Sequence, residues 1–545
     1  MSGESHNHQT PVLIVGAGPV GLGMAIELGR RGIATTLVDQ GDGTIEHPRT
    51  GLVAVRTMEL ARRWGLASEI REAGFPSDYE LSMVFCTSLN GHLLGKEPYP
   101  SMRMTPTPPE TPEKKQRCPQ MWMQPIFAAA AEKIDSNTVL YNHRFDRFVQ
   151  DAGGVTSVIT DLRNQREVSI RSSYVIACDG AASGVREGLG IKQRGRLLSY
   201  SVNILLHAPD LLTQHKMGEA ERYLFVGPEG TWGNLTVVDG DATWRLTVLG
   251  SEQMMDLSTF DAVSWVRRAL GSDDIKFEIT SVVPWRRSEM LAEHFLHGRV
   301  ILAGDAVHTT SPTGGMGMNT GMQEVWDLGW KLEAVLKGWG GPGLLESYEV
   351  ERRPVAARNL AFSTSNFSAW KAVPDTRSIC EDTAEAAQLR TLVGDRLKES
   401  TRVEWESLGL QIGHRYEDSP IVVPDGTPPL EDDYSIYIPT SRPGSRAPHA
   451  WLPDGRSTLD LFGDGFTLLD FGGADGVHAF AEAFNRRGAP LRVEKIASAA
   501  IAELYEYKLV LVRPDGHVCW RGDVVSDAEK IVDVVCGVRL HETVA

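Results

Sequence analysis

The feature that most restricts this chain is the hexapeptide Gly16-Ala17-Gly18-Pro19-Val20-Gly21 together with its flanks. Before it runs Val12-Leu13-Ile14-Val15, a short unbroken apolar stretch that reads as a strand buried on both faces. After it, Leu22, Ala25, Ile26 and Leu28 keep helical spacing, Gly32 ends the helix, and Thr35 to Val38 form a second strand closed by Asp39. Glycine permits the tight turn and lets backbone N–H groups approach a pyrophosphate at the helix N-terminus. An acid at the end of the second strand can accept a hydrogen bond from a ribose hydroxyl. The complete β-α-β unit therefore predicts a dinucleotide site built on Gly16, Gly18, Gly21 and Asp39.

The 545 residues imply about three or four domains, or one large mosaic. A net charge of −16 argues against nucleic acid as a partner, because phosphate recognition needs a basic footprint. The six cysteines, Cys86, Cys118, Cys178, Cys380, Cys519 and Cys536, contain no C-x-x-C, so neither a zinc ribbon nor a dithiol redox motif is expected, and no metal site. The opening MSGESHNHQT lacks the apolar core of a secretory signal, and no run reaches the roughly 18 apolar residues of a spanning helix. A cytoplasmic chain without a membrane partner is the expectation.

Two further stretches carry chemistry. Tyr174-Val175-Ile176 lead into Asp179-Gly180, with Ser183 and Arg186 at a following helix start. Arg299 to Leu302 read as a buried strand that delivers Asp305; Pro312, Gly314, Gly315 and Gly317 then form a loop before a helix from about Thr320 to Lys337. So many glycines beside a helix start imply close backbone approach to a ligand, and helix-start N–H groups favour a phosphate or an electron-rich ring. Short strands recur over 200–250 and predict a mixed or antiparallel sheet with one face available to a ligand. Residues 98–112 read as an exposed excursion and 123–134 as a helix. Residues 355–410 read as mostly helical, the seven prolines of 417–448 as a wrapped linker, and 449–545 as a separate small α/β domain.

In this order and spacing the three stretches resemble the single-component FAD-dependent aromatic hydroxylases, the group A flavoprotein monooxygenases, over about residues 9–365. Gly16 to Gly21 is similar to their ADP-binding motif, Asp179-Gly180 to the DG motif that serves FAD and NAD(P)H, and 304–319 to the GD motif that holds the riboflavin part. His47-Pro48-Arg49, Arg56-Thr57-Met58-Glu59, Gln124 and Tyr348-Glu349-Val350-Glu351-Arg352 match as well. The tail resembles the phenol-hydroxylase and polyketide-hydroxylase branch at Pro443 to His449, Leu461-Phe462-Gly463 and Arg513-Pro514-Asp515-Gly516. That branch carries a thioredoxin-like C-terminal domain, left here with packing or oligomer contact as its task.

The resemblance implies an α/β fold. A Rossmann-like FAD-binding domain (9–80, 115–190 and 278–370) would be interleaved with a mixed β-sheet substrate-binding domain (81–114 and 191–277). A helical segment (371–416), the Pro-rich linker (417–448) and a thioredoxin-like C-terminal domain (449–545) would follow. It implies FAD, NADPH or NADH, O2 and a small aromatic substrate, and it admits a homodimer. The implied activity is hydroxylation of a phenolic aromatic compound through a flavin C4a-hydroperoxide. The alternatives are a tailoring oxygenase of a polycyclic aromatic polyketide, by hydroxylation or Baeyer–Villiger insertion, and an FAD oxidoreductase without oxygen insertion.

Roles follow by position. Gly16, Gly18 and Gly21 would cradle the pyrophosphate and Asp39 bind the ribose. Arg49 and Gln124 would contact the phosphate and ribityl regions, Asp179 and Gly180 the cofactor, and Asp305 the ribityl hydroxyls. Gly315, Met316, Gly317, Met318 and Asn319 would line the isoalloxazine. Pro312 would sit where substrate and flavin meet, with His308 a second catalytic candidate. Arg186 is placed at NAD(P)H or in a surface ion pair, and Arg117 at the nicotinamide or exposed with the rest of Glu113-Lys114-Lys115-Gln116-Arg117. Tyr200, Asn203, Trp232, Asn234 and Arg245 are candidates for orienting a phenol or a carboxylate. Trp244 and Trp285 read as core, and Arg286-Arg287 as a solvated turn. Two positions and one stretch depart from the family pattern: Met316 stands where Gln is common, Glu324 where Asp is common, and no acid lies in Thr50 to Val55 to activate a phenol.

Overall fold

A computed structural model describes residues 7–45, 47, 51–251 and 253–539. Arg49, expected at the cofactor phosphate, lies outside them. The unbroken apolar runs form the middle of a sheet. Asn7–Val15 lies between Arg166–Ala177 and Thr35–Asp39, with Val300–Leu302 and Asn137–Tyr141 outside these, all parallel. Val12, Leu13, Ile14, Val175, Ile176 and Val300 are fully buried, as strands covered on both faces must be. The helices Pro19–Arg30, Gln120–Glu132 and Met316–Leu336 pack together against it. Glycines set that packing: a Cβ on Gly321 would lie 2.5 Å from Val20 Cγ2, and one on Gly329 2.5 Å from Glu27 Cγ. Because the five strands are parallel and in register, their carboxyl ends at Val15, Asp39, Tyr141, Ala177 and Leu302 share one edge, where such sheets bind ligands.

The second sheet has eight strands, in the order His308–Thr309, Glu278–Ala292, Gln193–His207, Thr243–Ser251, Gly230–Val237, Arg222–Gly227, Met83–Cys86 and Leu93–Glu97. Its neighbours are antiparallel except for the parallel pair Arg222–Gly227 with Met83–Cys86. Glu278–Ala292, assigned from the sequence to the FAD-binding part, pairs with Gln193–His207 along its whole length. Half-buried, alternating strands carry no sequence mark of which sheet they will join. One face is apolar. Val202, Ile204, Leu206, Leu235, Val237, Trp244, Leu246 and Val248 pack with Val266, Ala269 and Leu270 of the helix Ala262–Leu270. By alternation the other face carries Asn203, Thr247 and Asn234 in one cross-strand row and Leu205, Arg245 and Thr236 in the next.

Residues 449–539 hold the strand order Leu491–Lys495, Phe466–Asp470, Leu509–Val512, Val518–Gly522, the first pair parallel and the rest antiparallel. With helices Val477–Arg487, Ala499–Tyr505 and Ala528–Val535 this is a thioredoxin-like arrangement. Its cysteines are free and buried. Its core is continuous with the far end of Met316–Leu336: Trp330, Ala334, Trp339 and Leu344 cluster with Phe466, Phe480 and Phe484. Residues 98–112 are only partly the expected excursion. Ser101, Met102 and Thr111 are buried, and Lys114 Nζ donates to the Met102 and Thr105 carbonyls at 2.6 Å. The charged run after them is not exposed either, since Glu113 and Gln116 are buried.

The linker delivers Arg446 to Glu59, which is also held by Arg56 at 2.8 Å. Burial works against the Glu59 carboxylate, but Arg446 and then Arg56 pull it from its ordinary 4.5 down to about 2. A depressed carboxyl stabilises the fold above its unfolded pKa and loses that contribution as pH falls through the folded value. An acid titration monitored by circular dichroism should therefore show stability dropping between about pH 4.5 and 2. Glu59→Gln should lack on the order of 3 kcal/mol of that dependence; an unchanged acid limb would exclude this role.

Candidate active site

At the carboxyl edge of the parallel sheet the chain continues the ladder into its loops. Gly16 N donates to Val38 O and Cys178 N to Val15 O, both at 2.8 Å, and Ala303 N to Ala177 O at 2.9 Å. These bonds bring the Gly16–Gly21, Asp179–Gly180 and Gly304–Asp305 segments side by side. Gly16, at φ +102°, and Gly21 are required by the protein itself: a Cβ would lie 2.4 Å from Cys178 O and 1.9 Å from Gly16 O respectively. Gly18 differs, because its Cβ would meet nothing within 4 Å. That empty space is at the N-terminus of Pro19–Arg30, where no side chain caps the helix. Gly180 likewise faces open space. Asp39 accepts from Ala17 N at 2.6 Å and Gly41 N at 2.7 Å. Asp179 accepts from Val185 N at 3.1 Å, while its other oxygen is buried without a partner among the described residues, and burial raises its pKa. An open glycine, an uncapped helix start and an unused buried acceptor fit the pyrophosphate and sugar of a dinucleotide.

The sequence places the long helix from Thr320; the structure starts it a turn earlier, at Met316, because Gly315 adopts φ +66° and serves as its uncapped N-terminal residue. Gly317 is beside Asp305, whose Oδ1 would lie 3.9 Å from a Cβ there. Of the residues expected to line the ring, two have side chains committed elsewhere. Met316 packs against Phe362 and Leu410. Asn319 Oδ1 accepts from Ala54 N at 2.8 Å and Thr57 Oγ1 at 2.7 Å, and its Nδ2 donates to Leu52 O and Gly315 O. Asn319 therefore clamps residues 52–57 onto the helix start and leaves only backbone to a ligand. Met318 is half-buried. Pro312 is exposed at the turn closed by Gly315 N to Pro312 O, 3.0 Å.

His308, the second catalytic candidate, is held inside the loop by Glu324. It is buried, and its Nε2 lies 3.0 Å from Glu324 Oε1, while Glu324 Oε2 accepts from Gly304 N at 2.8 Å. Burial opposes protonation of His308, but Glu324 outweighs it and raises the pKa. Arg186 is neither at the surface nor open to a nicotinamide. It is 6 % exposed and donates to Ala306 O at 2.9 Å and Ala181 O at 3.2 Å, which ties the Asp179 segment to the Asp305 segment. Gln124 accepts from Gln120 Nε2 at 2.9 Å on the helix packed against Pro19–Arg30.

On the substrate side, Asn203 accepts from Thr247 Oγ1 at 2.8 Å, and Asn234, Thr236 and Thr247 are buried on the polar face. Trp232 is not with them. A bulge opposite Phe225/Val226 makes it an extra residue, so it joins the apolar face, stacked on Phe225 and under Arg268. Tyr200 is half-buried at a second irregularity, opposite Arg286. Trp244 is core, whereas Trp285 is only half-buried. Arg117 is pinned to this sheet by Val237 O and Glu221.

The sequence finds only part of the main feature, a group of arginines: it singles out Arg245 and Arg117 but not Arg222 or Arg287. Arg287 lies within a strand, not a turn, and is 1 % exposed. It donates to Ser311 Oγ at 2.7 Å and Thr313 Oγ1 at 3.1 Å, lies over Phe367 and Trp285, and forms no ion pair with a described carboxylate. Burial pulls it down to about 9, with Glu404 opposing and Arg222 reinforcing. Burial and then Arg117 and Arg222 bring Arg245 down to about 10. Arg222 pairs with Glu404 at 2.7 Å and lies against Trp370 and Trp405. The Nε atoms of Arg117, Arg222 and Arg287, with Trp285 Nε1 and Trp405 Nε1, are buried donors without a partner among the described residues. Only the strand alternation Trp285-x-Arg287 hinted at the first; Glu404, at the end of the helix Ala384–Trp405, carries no local signal.

A Rossmann-type sheet with three glycine-marked loops on one edge, facing a second sheet and carrying a thioredoxin-like tail, defines a flavoprotein hydroxylase. The chain belongs to the FAD-dependent aromatic-ring hydroxylases. Residues 9–363 match the family described as FAD binding domain, and 440–537 the aromatic-ring hydroxylase C-terminal family. It is 33 % identical to 4-methyl-5-nitrocatechol 5-monooxygenase of a Burkholderia species, covering 96 % of both chains. It is 31 % identical to a putative polyketide hydroxylase of Streptomyces halstedii, covering 96 % of this chain and 95 % of that one. The solved structure of chromopyrrolic acid-soaked RebC with bound 7-carboxy-K252c superposes with a TM-score of 0.91 at 40 % identity, over 97 % of this chain and 99 % of that one. FAD is the cofactor, aromatic hydroxylation the activity, and NAD(P)H the reductant typical of the family.

Proposed function

We propose that this protein hydroxylates a phenolic or polycyclic aromatic compound that carries an anionic group. The observation that carries this reading is Arg287, a buried cation that forms no ion pair with a described carboxylate although Glu404 acts on its charge, among groups whose unpaired buried atoms are mostly donors. A buried charge that is only partly compensated is costly, so a site of this kind is suited to an anion that arrives with the substrate. The relatives named as acting on or binding nitrocatechols, polyketides and a carboxylated polycycle are compatible with such a substrate class. A polyketide-tailoring role differs only in ring size and remains the second reading.

FAD supplies electron transfer and oxygen activation when bound; the protein supplies position, dryness and charge. Gly16, Gly18, Gly21, Asp39, Asp179, Gly180 and Asp305 would hold the dinucleotide, and the backbone of Gly315 to Asn319 would offer N–H groups to the ring. Asn203, Asn234 and Arg245 would orient the substrate across the chamber from Pro312. The test pairs aromatic acids with their methyl esters, chromopyrrolic acid and 4-hydroxybenzoate among them. Binding is read by flavin absorbance, and NADPH and NADH oxidation are followed with H2O2 quantified. The acid should bind about 10- to 100-fold more tightly than its ester, the size of one charge-assisted contact. Arg245→Met should remove most of that difference. Equal binding of acids and esters would overturn the reading.

A further inference from the structure

We propose that Glu404 is a positioning residue that ties occupancy of the arginine chamber to the loop 311–315 beside the flavin site. The inference rests on the reading of that chamber as an anion site. A single oxygen, Glu404 Oε1, accepts from Arg222 Nη1 at 2.7 Å and from the backbone N of Gly314 at 3.1 Å, while Oε2 accepts from Trp370 Nε1 at 3.1 Å. The carboxylate is 6 % exposed, so these three donors are its surroundings rather than water. On one side it holds a chamber arginine whose own Nε is a spare buried donor. On the other it holds a loop with two adjacent left-handed residues, Gly314 at φ +90° and Gly315 at φ +66°, the second of which starts the helix Met316–Leu336. The opposite side of the same loop is gripped by Arg287 through Ser311 and Thr313.

An anion reaching Arg222 competes with Glu404 for the guanidinium and sets a second negative charge beside it. In a water-poor site like-charge repulsion at this range exceeds the hold of one hydrogen bond to a neutral N–H. Glu404 then withdraws from Gly314, and the loop next to the flavin ring is released only when substrate is present. The empty chamber keeps the loop clamped, which limits oxidation of NADPH by O2 to NADP+ and H2O2 in the absence of an aromatic substrate.

The experiment uses the FAD-loaded protein and two variants with opposite expected signs. Hydrogen–deuterium exchange of the peptide spanning residues 310–316 reports the clamp directly; substrate-free NADPH oxidation, as NADP+ and H2O2 formed, reports its consequence. In the wild type, chromopyrrolic acid should speed exchange of this peptide at least tenfold and its dimethyl ester should not. All three partners of Glu404 are donors, so Glu404→Gln must turn its amide NH2 against one of them. This variant should show exchange and substrate-free oxidation at least tenfold above wild type without any ligand, with less than threefold left for chromopyrrolic acid to add. Arg222→Met cuts the same pair from the other end and leaves Glu404 on Gly314, so the peptide should stay protected whether or not chromopyrrolic acid is present. Wild-type exchange and oxidation in Glu404→Gln, a loss of both through poor folding, or an acid response that survives in Arg222→Met would each overturn the proposal. Failure of the anionic-substrate reading is seen separately, as equal wild-type affinity for acid and ester.

Discussion

Gly18→Val should yield a folded protein that purifies without FAD. The backbone there, φ −71° and ψ 175°, is extended geometry open to any L-residue. A Cβ at this position would meet no protein atom within 4 Å, so the substitution costs the fold almost nothing. The same volume lies over the uncapped start of Pro19–Arg30, where backbone N–H groups and the helix dipole attract a pyrophosphate. A valine side chain would occupy it. FAD affinity should fall at least 100-fold, about 2.7 kcal/mol, as measured by equilibrium dialysis. The melting temperature of the apoprotein should stay within about 2 °C of wild-type apoprotein, the scatter of a neutral surface change. Gly21→Ala is the contrast: a Cβ 1.9 Å from Gly16 O forces the turn apart and should lower both affinity and apoprotein stability. Retention of FAD by Gly18→Val would remove the pyrophosphate from this position.

Arg513→Met should be among the most destabilising single changes in the chain. Arg513 is fully buried and donates to both oxygens of Glu351, to Asp327 at 3.0 Å and to Asp515 at 2.6 Å. Lys331 closes the group with bonds of 2.8 Å to Asp327 and 2.5 Å to Glu351. Burial works against Glu351, yet Arg513 and Lys331 hold it ionised far below its usual range. Removing Arg513 takes the guanidinium from Glu351 and Asp515, which it holds ionised, beside Asp327, whose pKa burial raises, a loss of about 3–5 kcal/mol in a denaturant titration. The double variant Arg513→Met/Glu351→Met removes the stranded charge with its partner and should recover at least half of that loss. A single variant within about 1 kcal/mol of wild type would show that solvent reaches the cluster. The position also explains the thioredoxin-like tail. Arg513 and Asp515 lie in the tail, Asp327 and Lys331 on the helix Met316–Leu336 and Glu351 on the helix Gly343–Lys371, so these ion pairs tie the tail to both helices.

The cofactor half of this protein is legible in its sequence because its requirements are local. Gly21 is imposed by the turn itself, where a Cβ would meet Gly16 O, Gly18 leaves open space over the helix start, and the apolar runs before Gly16, Asp179 and Asp305 mark strands that can only be buried. The missing C-x-x-C likewise removes the dithiol motif from the tail. Where a residue's task depends on its neighbour from elsewhere in the chain, the sequence misled. His308 sits in a motif but is committed to Glu324, and Asn319 is committed to residues 52–57. Arg186 turns inward because its helix lies against Ala306, and Trp232 changes face through one extra residue in a strand. The arginine chamber is the clearest case. Arg117, Arg222, Arg245 and Arg287 come from four separate strands, and Glu404 from a helix more than 100 residues beyond most of them. Local propensity and spacing determine which segments become strands, helices and glycine turns. Which charged side chains end up desolvated together, and so which substrate the site favours, is decided only when the two sheets and the helices between them close on one another.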